Sequence, residues 1–171
     1  IPKFLMTALS NRPFLAYFVT NSISLLGLWI QKIGVGWLTW NLTESTFWTS
    51  FVTLALMAPA GIFGPFFAAW AENWDMRKAS IILKFLMFIL ASLVWYLQLL
   101  ELHTVYSLAL LSILHGILSA MYHPVRLVFV SVIVEKNLLG SAIGLNSASF
   151  NASRVIGPSL AGFFIFFFNL E

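Results

Sequence analysis

The sequence alternates between long apolar stretches and short polar separators. Five apolar stretches cover residues of about 14–40, 47–71, 79–100, 104–130 and 141–168. Each is about 20 residues or longer, which is the length that an α-helix needs to cross the hydrocarbon core of a bilayer. The apolar positions do not alternate at a period of two, as they would in the strands of a membrane barrel. The pattern therefore predicts an all-α integral membrane protein with five transmembrane helices.

Composition excludes other classes of protein. Of the 171 residues, 60% are hydrophobic and 9% are charged, whereas a soluble domain carries about 25% charged residues. A chain with 17 Phe and 7 Trp cannot remain solvated and disordered. The absence of Cys excludes disulfides, thiolate metal sites and cysteine nucleophiles. The net charge of +3 is typical of basic loops at a membrane, so we predict no nucleic-acid partner.

The charged loops predict an orientation. In a five-span topology one side of the membrane collects the basic residues Lys3, Arg12, Arg77, Lys78 and Lys136, with Lys84 just inside the third span. The loops of the other side contain Glu44, Glu101 and Glu171 and no Lys or Arg. The positive-inside rule then places the N-terminus in the cytoplasm and the C-terminus outside. Because the chain begins with Ile1 and ends directly after an apolar stretch, we expect it to be a piece of a larger protein.

Several polar side chains fall inside the predicted spans: Gln31, Lys32, His115, Arg126 and Arg154. An isolated cation at the bilayer centre costs about 2.5–3.5 kcal/mol to insert, so such residues usually face a protein interior or a water-filled cavity. Lys32 and Arg126 could instead extend to the head groups, and His115 could be a neutral packing residue. For Arg154, near the middle of the fifth span, we favour an interior role.

No Asp or Glu lies inside a span. Paired-carboxylate catalysis, a Ser-His-Asp arrangement and a buried acidic proton relay are therefore all unsupported. A metal site formed by His115 and His123 is not expected, because no carboxylate lies on their helix and Pro124 disturbs its geometry. We predict neither an enzymatic activity nor a cofactor.

Small residues predict where helices approach closely. A stripe at spacings of three and four in the fifth span consists of Gly140, Gly144, Ser147, Ala148, Asn151 and Ala152. It predicts a tight helix neighbour, with Asn146 and Asn151 able to form hydrogen bonds across the contact. The second span contains Gly61 and Gly64-Pro65, and the fifth contains a similar Gly157-Pro158 step. Interrupted helices three spans apart indicate the internal repeat that secondary transporters use.

Three stretches carry a family resemblance: Ser24–Gln31 with the loop Leu42–Ser45, then Gly64–Lys78, and then Pro124–Gly162. Together they resemble the N-terminal half of a major facilitator superfamily transporter, and most closely its transmembrane secretion effector branch. The second stretch lies where the superfamily has its G-x-L-A-D-R-x-G-R-K loop. The end of the third stretch is similar to the antiporter motif of the fifth helix.

The resemblance implies a fold and a set of site residues. The fold would be five helices of the N-terminal six-helix bundle, with the first and fourth helices along a central cavity. The candidate cavity residues are then Gln31, Lys32, His115 and Arg126. The gating-loop candidates are Glu72, Asp75, Arg77 and Lys78, and the antiporter-like motif consists of Arg154, Gly157, Pro158, Ala161 and Gly162.

The resemblance also implies an activity. We expect a secondary active transporter of the inner or plasma membrane that exports a small amphiphilic or anionic solute, siderophore-like or drug-like, by alternating access. Protons would drive export, and the missing C-terminal half of the same transporter would complete the cavity. The alternative is a membrane module without transport activity that acts as an assembly or anchoring partner through its small-residue faces.

Overall fold

The regular structure of the chain is helical throughout the described part. The computed structural model describes residues 7–71 and 74–167. A short 3-10 helix, Thr7–Ser10, precedes five long helices: α1 (Arg12–Thr43), α2 (Thr46–Ala71), α3 (Met76–Leu99), α4 (Val105–Ile133) and α5 (Leu139–Phe167). All five are long and apolar enough to cross a membrane. The all-α prediction is confirmed, and the chain is a multi-pass membrane protein.

Polar residues at the helix ends make the helices longer than several of the apolar stretches. The side chain of Asn11 accepts a hydrogen bond from the backbone N–H of Phe14 (3.0 Å), which caps the start of α1 before its apolar run begins. Helix α1 continues to Thr43, and Glu44 then takes a positive φ of 47°. Glu101, after α3, has a φ of 56°. A positive φ cannot continue a right-handed helix, so these residues end the helical path.

The described chain packs as two compact units. Among the described residues, the first contains Thr7–Ile33 and Leu127–Phe167, so it includes the first part of α1, the end of α4 and α5. Its core consists of Ala8, Phe14, Tyr17, Val130, Val134 and Ala142. The ring of Tyr17 meets that of Phe129 edge-on at 5.3 Å. The backbone N–H of Ala8 also donates to the hydroxyl of Ser141 (3.3 Å), which attaches the 3-10 helix to α5.

The second unit extends from Gly34 to Arg126. Its core consists of Val35, Val52, Leu56 and Ala109, with Val94 packed against them. Helix α3 buries only Met76, Ser80 and Leu83, and most of its other large apolar side chains are exposed. Most of the surface of α3 is therefore not covered by the rest of the described chain.

Candidate functional site

Two hydrogen bonds join α1 to α5 inside the first unit. The side-chain amide of Asn21 donates to the side-chain oxygen of Asn146 (3.2 Å), and the hydroxyls of Ser22 and Ser149 are 2.6 Å apart. Both Asn side chains are nearly inaccessible, with 1% and 3% exposure. A buried amide is costly without a partner, so these bonds specify how α5 is placed along α1. We call this contact the α1–α5 interface.

The face of α5 that packs differs from the predicted one. The buried residues of α5 are Ser141, Ala142, Asn146, Ser153, Gly157 and Ala161. Most of the predicted stripe is exposed, including Ser147, Ala148 and Ala152. Asn146 forms the predicted interhelical bond, but the prediction for Asn151 is wrong, since its amide donates to the carbonyl of Ser147 in the same helix (2.9 Å). Neighbouring positions point about 100° apart around a helix, so a shift of one residue selects a different face.

Gly157 permits a close approach of α1 and α5 at this interface. A Cβ at this position would collide with the Cβ of Trp29 and would lie 3.4 Å from the carbonyl oxygen of Leu26. Ala161, one turn further along α5, is also buried. A glycine is therefore required here for packing, because α1 occupies the volume of any side chain.

Trp29 connects the predicted motif to a predicted cavity residue. The ammonium group of Lys32 lies 4.3 Å from the centroid of the Trp29 ring, and the ring of Phe150 meets Trp29 edge-on at 6.1 Å. The cation–π contact holds the Lys32 charge against an aromatic face. Gly157, Trp29 and Lys32 thus form one continuous set of contacts in the first unit. Sequence reasoning gave Trp29 no role, although its spacing of three residues from Lys32 places both on one helix face.

The other motif and cavity residues occupy different surroundings. Arg154 and Gly162 are exposed and Pro158 is half-buried. Gln31, also half-buried, belongs to the first unit with Lys32, whereas His115 and Arg126 belong to the second. His115 and Arg126 are buried, with 4% and 5% exposure, and lie about three turns apart on α4.

Helix α4 approaches α2 closely beside His115. A Cβ on Gly116 would collide with the carbonyl oxygen of Ala55 and would lie 2.9 Å from the Cγ of Pro59. Sequence reasoning missed Gly116, whose only signal was an isolated glycine in the middle of a span. The predicted counterparts of Gly157 in α2 differ, since an added Cβ at Gly61 or Gly64 would meet nothing within 4 Å. The sequence similarity between α2 and α5 therefore does not extend to their packing in this chain.

The candidate gating loop contains a helix cap. The carboxylate of Asp75 accepts hydrogen bonds from the backbone N–H groups of Arg77 (3.0 Å) and Lys78 (3.1 Å). Its second oxygen lies 3.7 Å from the Lys78 ammonium. Asp75 is thus the N-cap of α3. Glu72, the fourth candidate of this loop, lies outside the described residues.

We expect the stability that Asp75 contributes to depend on pH. The hydrogen bond from the Lys78 backbone N–H is the main cause that lowers the pKa of Asp75 below its ordinary value of 3.8. Since the unfolded chain takes up the proton first, the contribution is fully present above about pH 4 and is lost as the pH falls through the lowered pKa. Thermal unfolding in detergent should therefore show a native chain more stable than Asp75→Ala at pH 7, with the difference shrinking below pH 4.

Asp75→Asn is the matched control, because an amide caps the helix without titrating in this range. The difference between Asp75→Asn and Asp75→Ala should stay constant with pH. A constant difference between the native chain and Asp75→Ala would contradict the assignment of the carboxylate as the cap.

A family model described as transmembrane secretion effector matches residues 5–169. The chain is also 27% identical over 151 residues to the staphyloferrin A transporter of Staphylococcus aureus (strain NCTC 8325 / PS 47), an alignment that covers 85% of this chain and 37% of that protein. The chain thus spans little more than a third of the relative's length. No solved structure matches it significantly. Because the family model covers nearly all residues, the chain belongs to the transmembrane secretion effector family of the major facilitator superfamily.

Proposed function

We propose that this chain is part of a secondary active transporter that exports a small amphiphilic or anionic solute, siderophore-like or drug-like, in exchange for protons. Family membership and the relative named as a transporter support transport. The observation that carries the proposal is the set of contacts from Gly157 through Trp29 to Lys32. It joins an intramembrane cation to a glycine at which α1 and α5 approach closely.

The charges of the helices favour an anionic group on the solute. Helices α1 to α5 contain no Asp or Glu, whereas Lys32 and Arg126 are cations within α1 and α4. A cation–π contact is worth about 0.5–2 kcal/mol. A carboxylate or phosphate of the solute attracts an ammonium more strongly in a water-poor site. In this proposal the Lys32 ammonium leaves the face of Trp29 to bind that group.

The proposed conformational change is alternating access in the inner or plasma membrane. The small-residue contacts between α1 and α5 allow the helices to move together, because their backbones are close and two side-chain hydrogen bonds connect them. The exposed side chain of Arg154 is available to contact the C-terminal half of the transporter. The exposed Arg77 and Lys78 at the start of α3 would contribute to the gating loop.

Transport in proteoliposomes tests the proposal. The full-length protein, reconstituted with an imposed pH gradient, should export anionic solutes, with staphyloferrin A among those tested. Lys32→Ala should reduce export of anions about tenfold more than export of cations, because it removes a charge-assisted contact. Lys32→Arg should retain most of the activity.

Lys136→Ala is the matched control, since this exposed loop cation belongs to none of the candidate sites and should leave export unchanged. Equal losses for anions and cations in Lys32→Ala would exclude the proposed anion preference. A correctly inserted protein without any export under a pH gradient would contradict proton-coupled efflux itself.

A further inference from the structure

The indole N–H of Trp29 is a buried donor that has no acceptor among the described residues. The Trp29 side chain as a whole is half-buried, but its Nε1 atom is inaccessible. Elsewhere in the α1–α5 interface, by contrast, the amide of Asn21 donates to Asn146. A tryptophan nitrogen can only donate, and burying a donor without a partner is costly. The N–H therefore indicates a place for an acceptor that the described chain does not supply.

The position of the Trp29 ring is restricted at its base and at its edge. The Cβ of Trp29 packs directly against the backbone of Gly157, where no side-chain atom could be added. The ring of Phe150 meets the indole edge-on at 6.1 Å. Both contacts lie within the first unit. The N–H is therefore presented by a side chain that α5 holds in place.

Lys32 supplies a second donor group beside this N–H. Its ammonium lies 4.3 Å from the centroid of the Trp29 ring. The ammonium is above the face of the indole, whereas the N–H lies in the plane of the ring and points outward from its edge. A lysine ammonium carries three N–H donors, so contact with the ring face leaves it able to donate to an oxygen. Two donor groups therefore lie close enough together for one small ligand to accept from both.

The two donors together select a particular kind of acceptor. A carboxylate or phosphate has at least two acceptor oxygens, so one oxygen can accept from the indole and another from the ammonium. A neutral carbonyl or a water molecule would satisfy the N–H but would not balance the charge of Lys32. Charge-assisted hydrogen bonds are also stronger than neutral ones. The arrangement therefore favours an oxyanion over a neutral ligand.

We propose that the indole N–H of Trp29 and the ammonium of Lys32 together bind the carboxylate or phosphate of the solute, so that Trp29 helps to determine specificity for anions. This inference rests on the proposed function, in which Lys32 leaves the ring face to bind the solute. The N–H is covered in the present conformation, so the anion reaches it only when the side chains or helices move. Trp29 then contacts the solute directly, in addition to its contact with Lys32.

Nuclear magnetic resonance of the full-length protein in detergent tests this contact without any pH gradient. Isotope-labelled tryptophan gives one indole N–H signal for each tryptophan, and Trp29→Phe identifies the signal of Trp29. The probes are benzoate, benzamide and benzylammonium, which share a ring and differ in charge. Benzoate should shift the Trp29 proton signal downfield in a saturable manner, because the N–H gains a charge-assisted hydrogen bond. The neutral and cationic probes should leave this signal in place.

The same probes measure the contribution of the N–H to affinity. Trp29→Phe keeps an aromatic face for Lys32 but lacks the N–H, so it should bind benzoate about tenfold more weakly. Its affinity for benzamide and benzylammonium should change less than twofold. Replacement of Trp29 by 3-benzothienylalanine keeps the bicyclic shape and puts sulfur in place of the N–H, and it should show the same selective loss. Trp40→Phe changes an exposed tryptophan of the same helix and should leave all three affinities unchanged.

Three outcomes would overturn the proposal. The first is a Trp29 signal that does not move at saturating benzoate or staphyloferrin A. The second is a signal that already lies in the hydrogen-bonded range without an anion, which would assign the N–H to a fixed acceptor elsewhere in the transporter. The third is an equal loss of affinity for all three probes, with a lowered melting temperature in their absence, which would indicate a purely structural role.

The test separates this inference from the proposed function. A protein whose Trp29 signal responds to benzoate, but which exports no solute under a pH gradient, would contradict proton-coupled efflux alone. A protein that exports anions in preference to cations, but whose Trp29 signal does not respond, would contradict only the role of the N–H.

Discussion

Gly157→Ala is expected to lower the free energy of unfolding by about 2–3 kcal/mol and to reduce transport at least tenfold. The added Cβ would overlap the Cβ of Trp29 and press on the carbonyl oxygen of Leu26. Neither atom is at the end of a flexible side chain, so α5 must move away from α1. Overpacking of this kind typically costs about 1–3 kcal/mol. The movement also displaces Trp29, whose ring forms the cation–π contact with the Lys32 ammonium.

Thermal unfolding in detergent and proteoliposome export measure the two effects. Gly162→Ala is the matched control on the same helix, because its Cβ would meet nothing within 4 Å. It should be as stable as the native protein or about 0.5–1 kcal/mol more stable, since alanine favours a helix over glycine. Trp29→Ala should not rescue Gly157→Ala, because alanine keeps the Cβ that causes the collision. A fully stable and active Gly157→Ala protein would show that α1 and α5 do not need this contact.

Gly116→Ala is expected to have the largest effect on stability, about 3 kcal/mol. Its Cβ would overlap the backbone carbonyl of Ala55 and lie 2.9 Å and 3.2 Å from two ring carbons of Pro59. A backbone carbonyl and a proline ring cannot rotate away, so α4 and α2 must separate. That separation would also disturb the surroundings of the buried His115. The measurement is again unfolding in detergent, now with export as a second readout.

Gly61→Ala is the control on the partner helix, where an added Cβ has open space. It should leave stability unchanged or slightly raised, for the same reason as Gly162→Ala. If Gly61→Ala and Gly116→Ala were equally stable, the close packing of α2 against α4 would be wrong. If both were strongly destabilised, glycine at position 61 would have a role outside the packing of this chain.

Much of the fold was predictable because the bilayer restricts the possibilities. Only a helix or a closed barrel satisfies its backbone hydrogen bonds in hydrocarbon, and the apolar stretches are too long and too uniform for strands. The expected pairing of Asn146 also followed from elementary chemistry, since a buried amide needs a partner. The helix ends were less predictable, because the caps at Asn11 and Asp75 depend on local backbone geometry and not on apolar length.

The candidate site was predictable only in part. Lys32, His115 and Arg126 were predicted as site residues because they are charged or titratable groups inside spans, which can be read from the sequence. The contacts that these side chains make could not be predicted from the sequence. Trp29 was overlooked as a site residue, because a large aromatic residue is ordinary in membrane proteins. Its significance comes from its contacts with Gly157 and with Lys32.

The amino-acid sequence by itself determined the helical class, the five membrane-crossing lengths and the absence of acidic groups from the helices. Helix length and residue charge are local properties, which is why they needed no knowledge of neighbours. Only the tertiary structure decided which small-residue face of α5 packs on α1 and which glycines are indispensable. Small residues occur at helical spacing on more than one face of α5, and in hydrocarbon no face is selected by its apolar character alone. The choice therefore rests on side-chain shape and on the pairing of Asn21 with Asn146.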